Sequence, residues 1–154
     1  MKIGFTCGSF DVIHPGHIIM LKEAKEQCDY LVVGLNADPS LDNPMKNKPI
    51  QSVKERLIQL EAIKYIDEIV VYHGGEKELD KILLEIKPNI RISGDDHKND
   101  RVLKDTPYEN YFHKRVGYSS TELIKRIRTA QRIWIRKFIY YIVLINISLP
   151  KAVV

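Results

Sequence analysis

Apolar residues along the chain form short runs that alternate with longer amphipathic segments. The runs have the length and the β-branched or aromatic character of strands. The predicted strands are Lys2–Cys7, Tyr30–Leu35, Glu68–Tyr72 and Ile90–Ser93. The second of them is continuously apolar rather than alternating, which is typical of a parallel strand covered on both faces.

The segments between these strands carry helical spacing and helix-end signals. A helix is predicted from Pro15, because proline and glycine suit the first turn. Ser52 and Glu55 have the spacing of a capping box for a helix to about Ile63, and Glu76–Ile86 is a third amphipathic helix. The alternation of strands and helices predicts an α/β fold, a Rossmann-like doubly wound parallel sheet with flanking helices. Its ligands would bind beyond the carboxyl ends of the strands.

The last third of the chain changes character. Ser119–Arg128 opens with hydroxyl residues and predicts a capped helix. Residues 133–149 are apolar, but the run is too short to predict a membrane span. Packing against the same domain or a second subunit is preferred to a membrane surface or to a tail from a shifted reading frame. We therefore predict one domain over residues 1–129 and an apolar extension of unknown role over residues 130–154.

Composition narrows the possible classes further. The chain has 154 residues, 44% of them hydrophobic, which is enough for one core and too little for two ordinary domains. Its formal charge of +4 is too small to indicate a nucleic-acid partner. Cys7 and Cys28 lack the number and spacing of a disulfide framework and are predicted to be buried, reduced thiols. Met1 runs directly into a strand, so a cytoplasmic protein without stable membrane insertion is expected.

The strongest chemical motif follows the first predicted strand. Residues 8–17 read GSFDVIHPGH and place two histidines three positions apart at the start of a helix. Imidazoles and backbone amides at a helix N-terminus offer positive charge and donors to phosphate oxygens. The motif resembles the HxGH signature of the nucleotidyltransferase superfamily, and its wider form is similar to the cytidylyltransferase branch typified by the glycerol-3-phosphate cytidylyltransferases.

The resemblance implies a mechanism of positioning and electrostatic stabilisation. His14 and His17 would bind the triphosphate and stabilise a pentacoordinate transition state, without a covalent phosphoryl-enzyme. The phosphate of the acceptor would itself attack, with Mg2+ bound along with the nucleoside triphosphate. Asp11 is the predicted metal ligand, unless it only caps a turn. Lys46, in the long loop 38–49, is predicted as a third catalytic residue that covers the triphosphate.

The nucleotide-binding residues implied by the resemblance come from three stretches of sequence. Gly117–Thr121 is similar to the family's R-T-E-G-I-S-T-[ST] signature, although the family's arginine is replaced by either Lys114 or Arg115. Gly94-Asp95-Asp96 is similar to the family's G-D-D. A plain helix cap and a simple turn are the respective alternatives. The predicted nucleotide-binding residues are Gly8, Ser9, Phe10, Asp11, Gly16, Gly94, Asp95, Lys114, Arg115, Ser119, Ser120 and Thr121.

The acceptor side of the site is less well defined. Lys64–Glu68 resembles the family's R-Y-V-D-E segment, with lysine in place of arginine at its first position. Lysine presents a point charge where arginine presents a planar fork, so recognition of the acceptor is expected to differ. The predicted acceptor-binding residues are Asp38, Lys64 and Asp67.

These features predict an enzyme that transfers a nucleoside monophosphate from CTP to an alcohol phosphate, with glycerol 3-phosphate giving CDP-glycerol and pyrophosphate. One alternative is an adenylyltransferase that uses ATP with a sugar-phosphate or flavin-type acceptor. Two alternatives are not enzymes: a nucleotide-binding module without turnover, and a membrane-associated scaffold that uses the apolar tail. The resemblance also implies a homodimer.

Overall fold

A computed structural model of the chain describes residues 1–41, 45–73, 75–95, 107–114 and 116–148, with the side chains of Glu76 and of residues 142–148 left undescribed. Its strands are β1 (Ile3–Gly8), β2 (Tyr30–Asn36), β3 (Glu68–Tyr72), β4 (Ile90–Gly94) and β5 (Glu109–His113). Its helices are α1 (Pro15–Glu26), α2 (Val53–Glu61), α3 (Gly75–Ile86) and α4 (Ser120–Ser148).

The five strands form one parallel sheet in the order β3-β2-β1-β4-β5. This confirms the predicted Rossmann-like, doubly wound α/β fold. The chain builds outward from β1 to β3 and then returns to place β4 on the other side of β1. The topological switch point therefore lies between β1 and β4, where such sheets leave a crevice for ligands.

Each face of the sheet packs against helices. On one face Leu31, Val33 and Leu35 of β2 are buried together with Leu21 of α1 and Leu60 of α2. On the other face Phe5 and Val32 pack with Ile82 and Leu83 of α3. Neighbouring strand residues point to opposite faces, so the continuously apolar β2 supplies both cores.

One strand was not predicted from the sequence. β5 pairs with β4 from Ile90 opposite Glu109 to Gly94 opposite His113. Its residues are mostly polar or aromatic, and only His113 is buried. An edge strand with this composition lacks the apolar run that identifies the inner strands.

The contacts divide the chain into two compact units, Met1–Tyr118 and Ser119–Val154. In the second unit, Ser119 caps α4 by accepting a hydrogen bond from the Glu122 amide at 3.1 Å. The helix predicted over Ser119–Arg128 continues to Ser148, because no glycine or proline interrupts residues 121–149. The separate roles of residues 1–129 and 130–154 stay a prediction. Within the described residues, none of the helices has the length and apolar character needed to cross a bilayer.

The cysteines differ in burial from the prediction. Both Cys7 and Cys28 are free thiols, as expected, but each is half-buried rather than buried. The Cys28 thiol donates a hydrogen bond to the Ala24 carbonyl at 3.3 Å. A side chain at Gly4 would come within 2.6 Å of this sulfur, so the glycine makes room for it.

Candidate active site

The two histidines of the GSFDVIHPGH segment form the N-terminal turn of α1. His14 is the N-cap residue, with extended backbone, and its Nδ1 accepts a hydrogen bond from the Gly16 amide at 3.1 Å. In return, the Nδ1 of His17 accepts from the His14 amide at 3.4 Å. The two imidazoles thus make the hydrogen bonds to backbone amides that serine and glutamate side chains make in an ordinary capping box. Their rings stack with centroids 4.0 Å apart.

These hydrogen bonds define the protonation state of both rings. A neutral imidazole whose Nδ1 accepts a hydrogen bond carries its proton on Nε2. His14 and His17 therefore each retain one Nε2–H donor that the helix cap does not use. Two such donors on stacked rings, at the positive end of the dipole of α1, suit an anion with several oxygens.

The charge of the pair differs from what the sequence led us to expect. Burial lowers the pKa of His14. Burial and the charge of His14 lower the pKa of His17 to about 4, against a smaller opposing effect of Asp11. The expectation that the imidazoles supply positive charge is therefore wrong for the free protein at neutral pH. A neutral imidazole can still donate a hydrogen bond to a ligand through Nε2–H.

The lowered pKa of His17 makes stability depend on pH. Between pH 6.5 and pH 4 the unfolded chain binds a proton at this residue and the folded chain does not, so stability falls as the pH falls. With a folded pKa of about 4, we expect the loss to be about 3 kcal/mol of unfolding free energy. Chemical denaturation at a series of pH values, compared with His17→Asn, measures it. Equal pH dependence in the two proteins would contradict the expectation.

The turn between β1 and α1 is strained. Phe10 and Val12 have φ of 48° and 49°, a left-handed conformation that is unfavourable for side chains and most of all for a β-branched one. Such strain persists only where surrounding contacts hold it. The Val12 amide donates to Oε1 of Gln51 at 2.8 Å, and the buried Phe10 ring lies 5.5 Å from the His17 ring. The segment before α2 thus holds the turn that carries the histidines.

Asp11 takes part in the same attachment. Its two carboxylate oxygens accept hydrogen bonds from the amides of Ile50 and Gln51, at 2.8 Å and 2.9 Å. In the part of the chain that the structure describes, no group of three or more His, Cys, Asp or Glu side chains could hold a metal ion. A role of Asp11 as a magnesium ligand stays a prediction.

Arg56 is the central buried residue of this region, with only 1% of its surface exposed. Its Nη1 donates to the carbonyls of Ser9 and Asn36 at 2.7 Å and 2.8 Å, and its Nη2 to that of Ala37 at 2.6 Å. Its Nε donates to the Gln51 carbonyl at 3.1 Å. One guanidinium therefore joins the turn after β1, the end of β2 and the start of α2.

Gly16 is required by its surroundings. A Cβ at this position would lie 2.9 Å from Cε1 of His14 and 3.1 Å from the Tyr118 carbonyl oxygen. The glycine lets the His14 ring fold back over the helix start and leaves room for the Tyr118 carbonyl beside it. At Gly8, by contrast, a Cβ would make only an ordinary contact with the Phe10 ring at 3.5 Å. Close approach of a ligand to Gly8 stays a prediction.

Several other predicted residues lie at the same edge of the sheet. Gly94 ends β4 at the switch point, Asp95 follows it, and Lys114 follows β5 as an exposed side chain. Asp38, beyond the end of β2, accepts from the amide and hydroxyl of Ser40 at 3.0 Å and 2.5 Å. These bonds lower its pKa, with smaller contributions from Lys48 and Arg56.

Of the remaining predicted residues, Asp67 lies away from this turn, and Lys46 and Lys64 are exposed side chains. Lys46 is exposed in the loop before α2. Asp67 precedes β3 at the opposite, amino end of the sheet, where its Oδ2 accepts from the Leu31 amide at 2.7 Å and from Lys25 at 2.6 Å. Lys64 is exposed, with Nζ 5.3 Å from the centroid of the Tyr65 ring.

Some predictions cannot be placed beside the histidines at all. Ser119, Ser120 and Thr121 begin the second unit, where Ser119 is the cap of α4. Arg115 and Asp96 lie outside the described residues. Phosphate binding by these residues stays a prediction.

Sequence reasoning missed two structural links. Arg56 occupies a position on the buried side of α2, four residues before the buried Leu60, and a charged residue at such a core position is the signal that would have identified it. His113, at 4% exposure, bonds Oε2 of Glu23 through Nδ1 at 2.5 Å and thereby ties β5 to α1. No local pattern connects those two positions.

Known proteins resemble this chain over most of its length. A family model described as cytidylyltransferase-like matches residues 5–140. The chain is 35% identical over 133 residues to the bifunctional protein HldE of Paramagnetospirillum magneticum, and 37% identical over 133 residues to that of Helicobacter pylori strain J99. Each match covers 82% of this chain but only 27% and 28% of the relative. The chain thus spans little more than a quarter of the length of these relatives.

Solved structures give the same fold. The lipopolysaccharide core biosynthesis protein from Thermoplasma volcanium GSS1 superposes with a TM-score of 0.62 at 30% identity, over 77% of this chain and 99% of that one. The pantothenate synthetase from Thermus thermophilus superposes with a TM-score of 0.56 over 75% of this chain and 56% of that one, at 14% identity. The second likeness concerns the fold alone.

Proposed function

The chain belongs to the cytidylyltransferase-like family of nucleotidyltransferases, and from that premise we propose that it transfers AMP from ATP to the phosphate of a sugar phosphate, forming an ADP-sugar and pyrophosphate. The observation that carries the transfer chemistry is the histidine turn of α1. Its two unused Nε2–H donors and its helix N-terminus suit the oxygens of a triphosphate.

The choice of a sugar phosphate rests on two observations. The Thermoplasma protein, 30% identical and matched over nearly its whole length, is described by its role in lipopolysaccharide core biosynthesis, and such cores are built from sugars. The lysine at position 64 and the location of Asp67 at the far end of the sheet weaken the acceptor pattern of the glycerol-phosphate branch. ATP is proposed as the donor because the HxGH-type motif of residues 14–17 is compatible with adenylyl as well as cytidylyl transfer.

The reaction needs no nucleophile from the protein. An oxygen of the acceptor phosphate attacks the α-phosphorus of ATP, and the bond from that phosphorus to the bridging oxygen of the β-phosphate breaks. Pyrophosphate leaves with the electron pair. His14 and His17 donate hydrogen bonds to oxygens that gain negative charge as the transition state forms. Magnesium, when bound with the triphosphate, neutralises part of its charge.

Pyrophosphate release tests this function. The full chain is incubated with Mg2+, each of ATP, CTP, GTP and UTP, and a panel of aldose 1-phosphates that includes heptose 1-phosphates, next to glycerol 3-phosphate. We expect ATP with an aldose 1-phosphate to give the highest kcat/KM, with the ADP-sugar identified by mass spectrometry. Nucleotide binding without turnover on any acceptor would instead indicate a non-catalytic module.

CTP with glycerol 3-phosphate is the second candidate. The wide match of residues 8–17 to the cytidylyltransferase motif and the Gly94-Asp95 turn favour it. In the same assay it predicts CTP-dependent turnover with glycerol 3-phosphate. A homodimer and a cytoplasmic location remain proposals for either candidate, and sedimentation velocity tests the first of them.

A further inference from the structure

The charge of the chain is concentrated in α4. The helix contains six Lys and Arg residues and one acidic residue, Glu122. Of the 24 basic and 20 acidic residues in the whole chain, this leaves 18 and 19 for all other segments. The positive balance of the protein therefore belongs to α4, and the rest of the chain is close to neutral.

Large apolar side chains on the same helix are exposed. Ile127, Trp134, Phe138 and Tyr141 have 54%, 75%, 59% and 63% of their surface exposed. Their spacing of seven, four and three residues places them along one side of the helix, and we call them the apolar stripe. Exposed aromatic and aliphatic groups in such a row indicate an interaction surface rather than ordinary scatter.

Four of the six basic residues of α4 lie on the other side, whereas Arg126 and Lys137 border the apolar stripe. Lys125, Arg128, Arg132 and Arg136 follow one another at intervals of three or four residues and form what we call the basic stripe. At 3.6 residues per turn it lies roughly opposite the apolar stripe, and the exposed Ile135 and Ile139 share its side. After Lys137 no charged residue occurs in the sequence through Ser148, so the end of the helix carries no charge. That end is roughly 16 Å long, about half of the hydrocarbon thickness of a bilayer.

We propose that α4 docks on an anionic lipid surface, with the apolar stripe in the interface and the basic stripe among the lipid phosphates. A helix with aromatic residues on one side and Lys and Arg on the other lies in the plane of a membrane interface. The long basic side chains reach outward to the headgroups. The uncharged end is long enough to enter the interface and too short to cross it.

The positive charge of α4 favours an anionic lipid surface over two other partners, a second copy of the chain and a nucleic acid. A second copy packed through the apolar stripe would leave both basic stripes in water, without an anionic partner. A nucleic acid would suit the basic stripe but would leave the apolar stripe in water. An anionic bilayer satisfies both stripes, and this inference does not depend on the proposed function.

The single tryptophan of the chain is a built-in reporter, because Trp134 belongs to the apolar stripe. The full chain is titrated with vesicles of phosphatidylcholine alone, or of equal parts phosphatidylcholine and phosphatidylglycerol. We expect the emission of Trp134 to shift to shorter wavelength with the anionic vesicles only, and high salt to weaken the binding. An unchanged emission, or equal binding to neutral vesicles, would overturn the proposal.

Substitutions separate the two stripes. Arg128→Gln, Arg132→Gln and Arg136→Gln together should weaken binding about 100-fold, since each cation near an anionic surface contributes roughly a factor of five. The matched control, Lys54→Gln, Lys77→Gln and Lys81→Gln, removes the same charge from exposed positions of α2 and α3 and should retain the affinity of the parent protein. Ile127→Ser with Phe138→Ser should weaken binding on the order of 100-fold while preserving the charge.

Three results would count against a lipid surface. Equal affinity of the arginine variant and its lysine control would show that the basic stripe does not face the lipid. A shift of the Trp134 emission that depends on protein concentration without vesicles would assign the apolar stripe to a second copy. Binding of the chain to a DNA duplex in competition with anionic vesicles would also count against the proposal. If the Ile127 and Phe138 substitutions left that binding intact, the helix would be assigned to nucleic acid.

Discussion

Replacing His17 with asparagine is expected to lower kcat for nucleotidyl transfer on the order of 100- to 1,000-fold, the loss typical of one donor that stabilises developing charge. The oxygen of the asparagine amide takes nearly the place of Nδ1, so it can still accept from the His14 amide. The Nε2–H that would face the phosphate is gone. The variant thus removes the donor and keeps the helix cap.

Asparagine and glutamine at the two positions separate catalysis from folding. At His14, asparagine is itself a favourable N-cap, so His14→Asn should keep the bond from the Gly16 amide and lose activity. Glutamine places its amide nitrogen near the position of Nε2 but loses the acceptor of the cap. We therefore expect His17→Gln to be less stable than His17→Asn and to retain more kcat.

The control for these variants is His73→Asn, at an exposed histidine beyond the end of β3. Its kcat and stability should match those of the parent protein. Steady-state kinetics with ATP and the acceptor that gives the highest kcat/KM in the pyrophosphate assay, together with unfolding curves, give both readouts. If His17→Asn kept full activity, or if its activity fell only in proportion to its folded fraction, the imidazole would be a structural cap and no more.

Most elements of the sheet could be predicted from the sequence because their signals are local. The inner strands are continuous apolar runs, and Glu68–Tyr72 was predicted with the bounds that the structure has. The capping box of Ser52 and Glu55 is present as expected, with the Ser52 amide donating to Glu55 at 2.7 Å. β5 was missed because an edge strand needs no apolar run, and its pairing with β4 arises only from the assembled sheet.

The site was predictable in its residues but not in its connections. The spacing of His14 and His17 identified the turn, because the motif and its helix are contiguous in sequence. The bonds that hold this turn join Asp11 to residues 50 and 51, and Ser9 to Arg56. Those partners are about forty or more positions apart in the sequence. The residues around a carboxylate or a guanidinium do not predict which distant backbone group it will bond. The neutral state of the imidazoles likewise follows from burial, which the sequence does not give.

Arg56→Met is expected to lower the unfolding free energy of the first unit by about 3 to 5 kcal/mol, the usual cost of removing one group from a buried polar network. Methionine is apolar and of similar length, so the loss reflects hydrogen bonds more than a cavity. Four carbonyls, those of Ser9, Asn36, Ala37 and Gln51, would lose their donor. A buried acceptor left without a partner costs about 1 to 3 kcal/mol, less where water reaches it.

Arg56→Lys distinguishes the charge from the geometry. Lysine keeps the positive charge near Asp11 and Asp38, whose effect on the Arg56 pKa opposes that of burial. It lacks the planar fork that reaches three segments at once. We expect it to recover less than half of the stability lost in Arg56→Met. Full recovery would mean that the charge, and not the pattern of bonds to the backbone, accounts for the buried arginine.

The same substitutions should impair catalysis beyond their effect on folding. Phe10 and Val12 hold left-handed backbone only while the segments around them are fixed, and Arg56 fixes the carbonyl of Ser9, one residue before that turn. Without it the turn can relax and move the imidazoles, so kcat should fall at least tenfold at a temperature where the variant is fully folded.

The control is Lys54→Met, at an exposed position of the same helix, which should change stability by no more than about 0.5 kcal/mol and leave kcat unaltered. Urea unfolding followed by far-UV circular dichroism, with kinetics on the same samples, measures both. Normal kcat in folded Arg56→Met would show that the histidine turn keeps its geometry without this arginine.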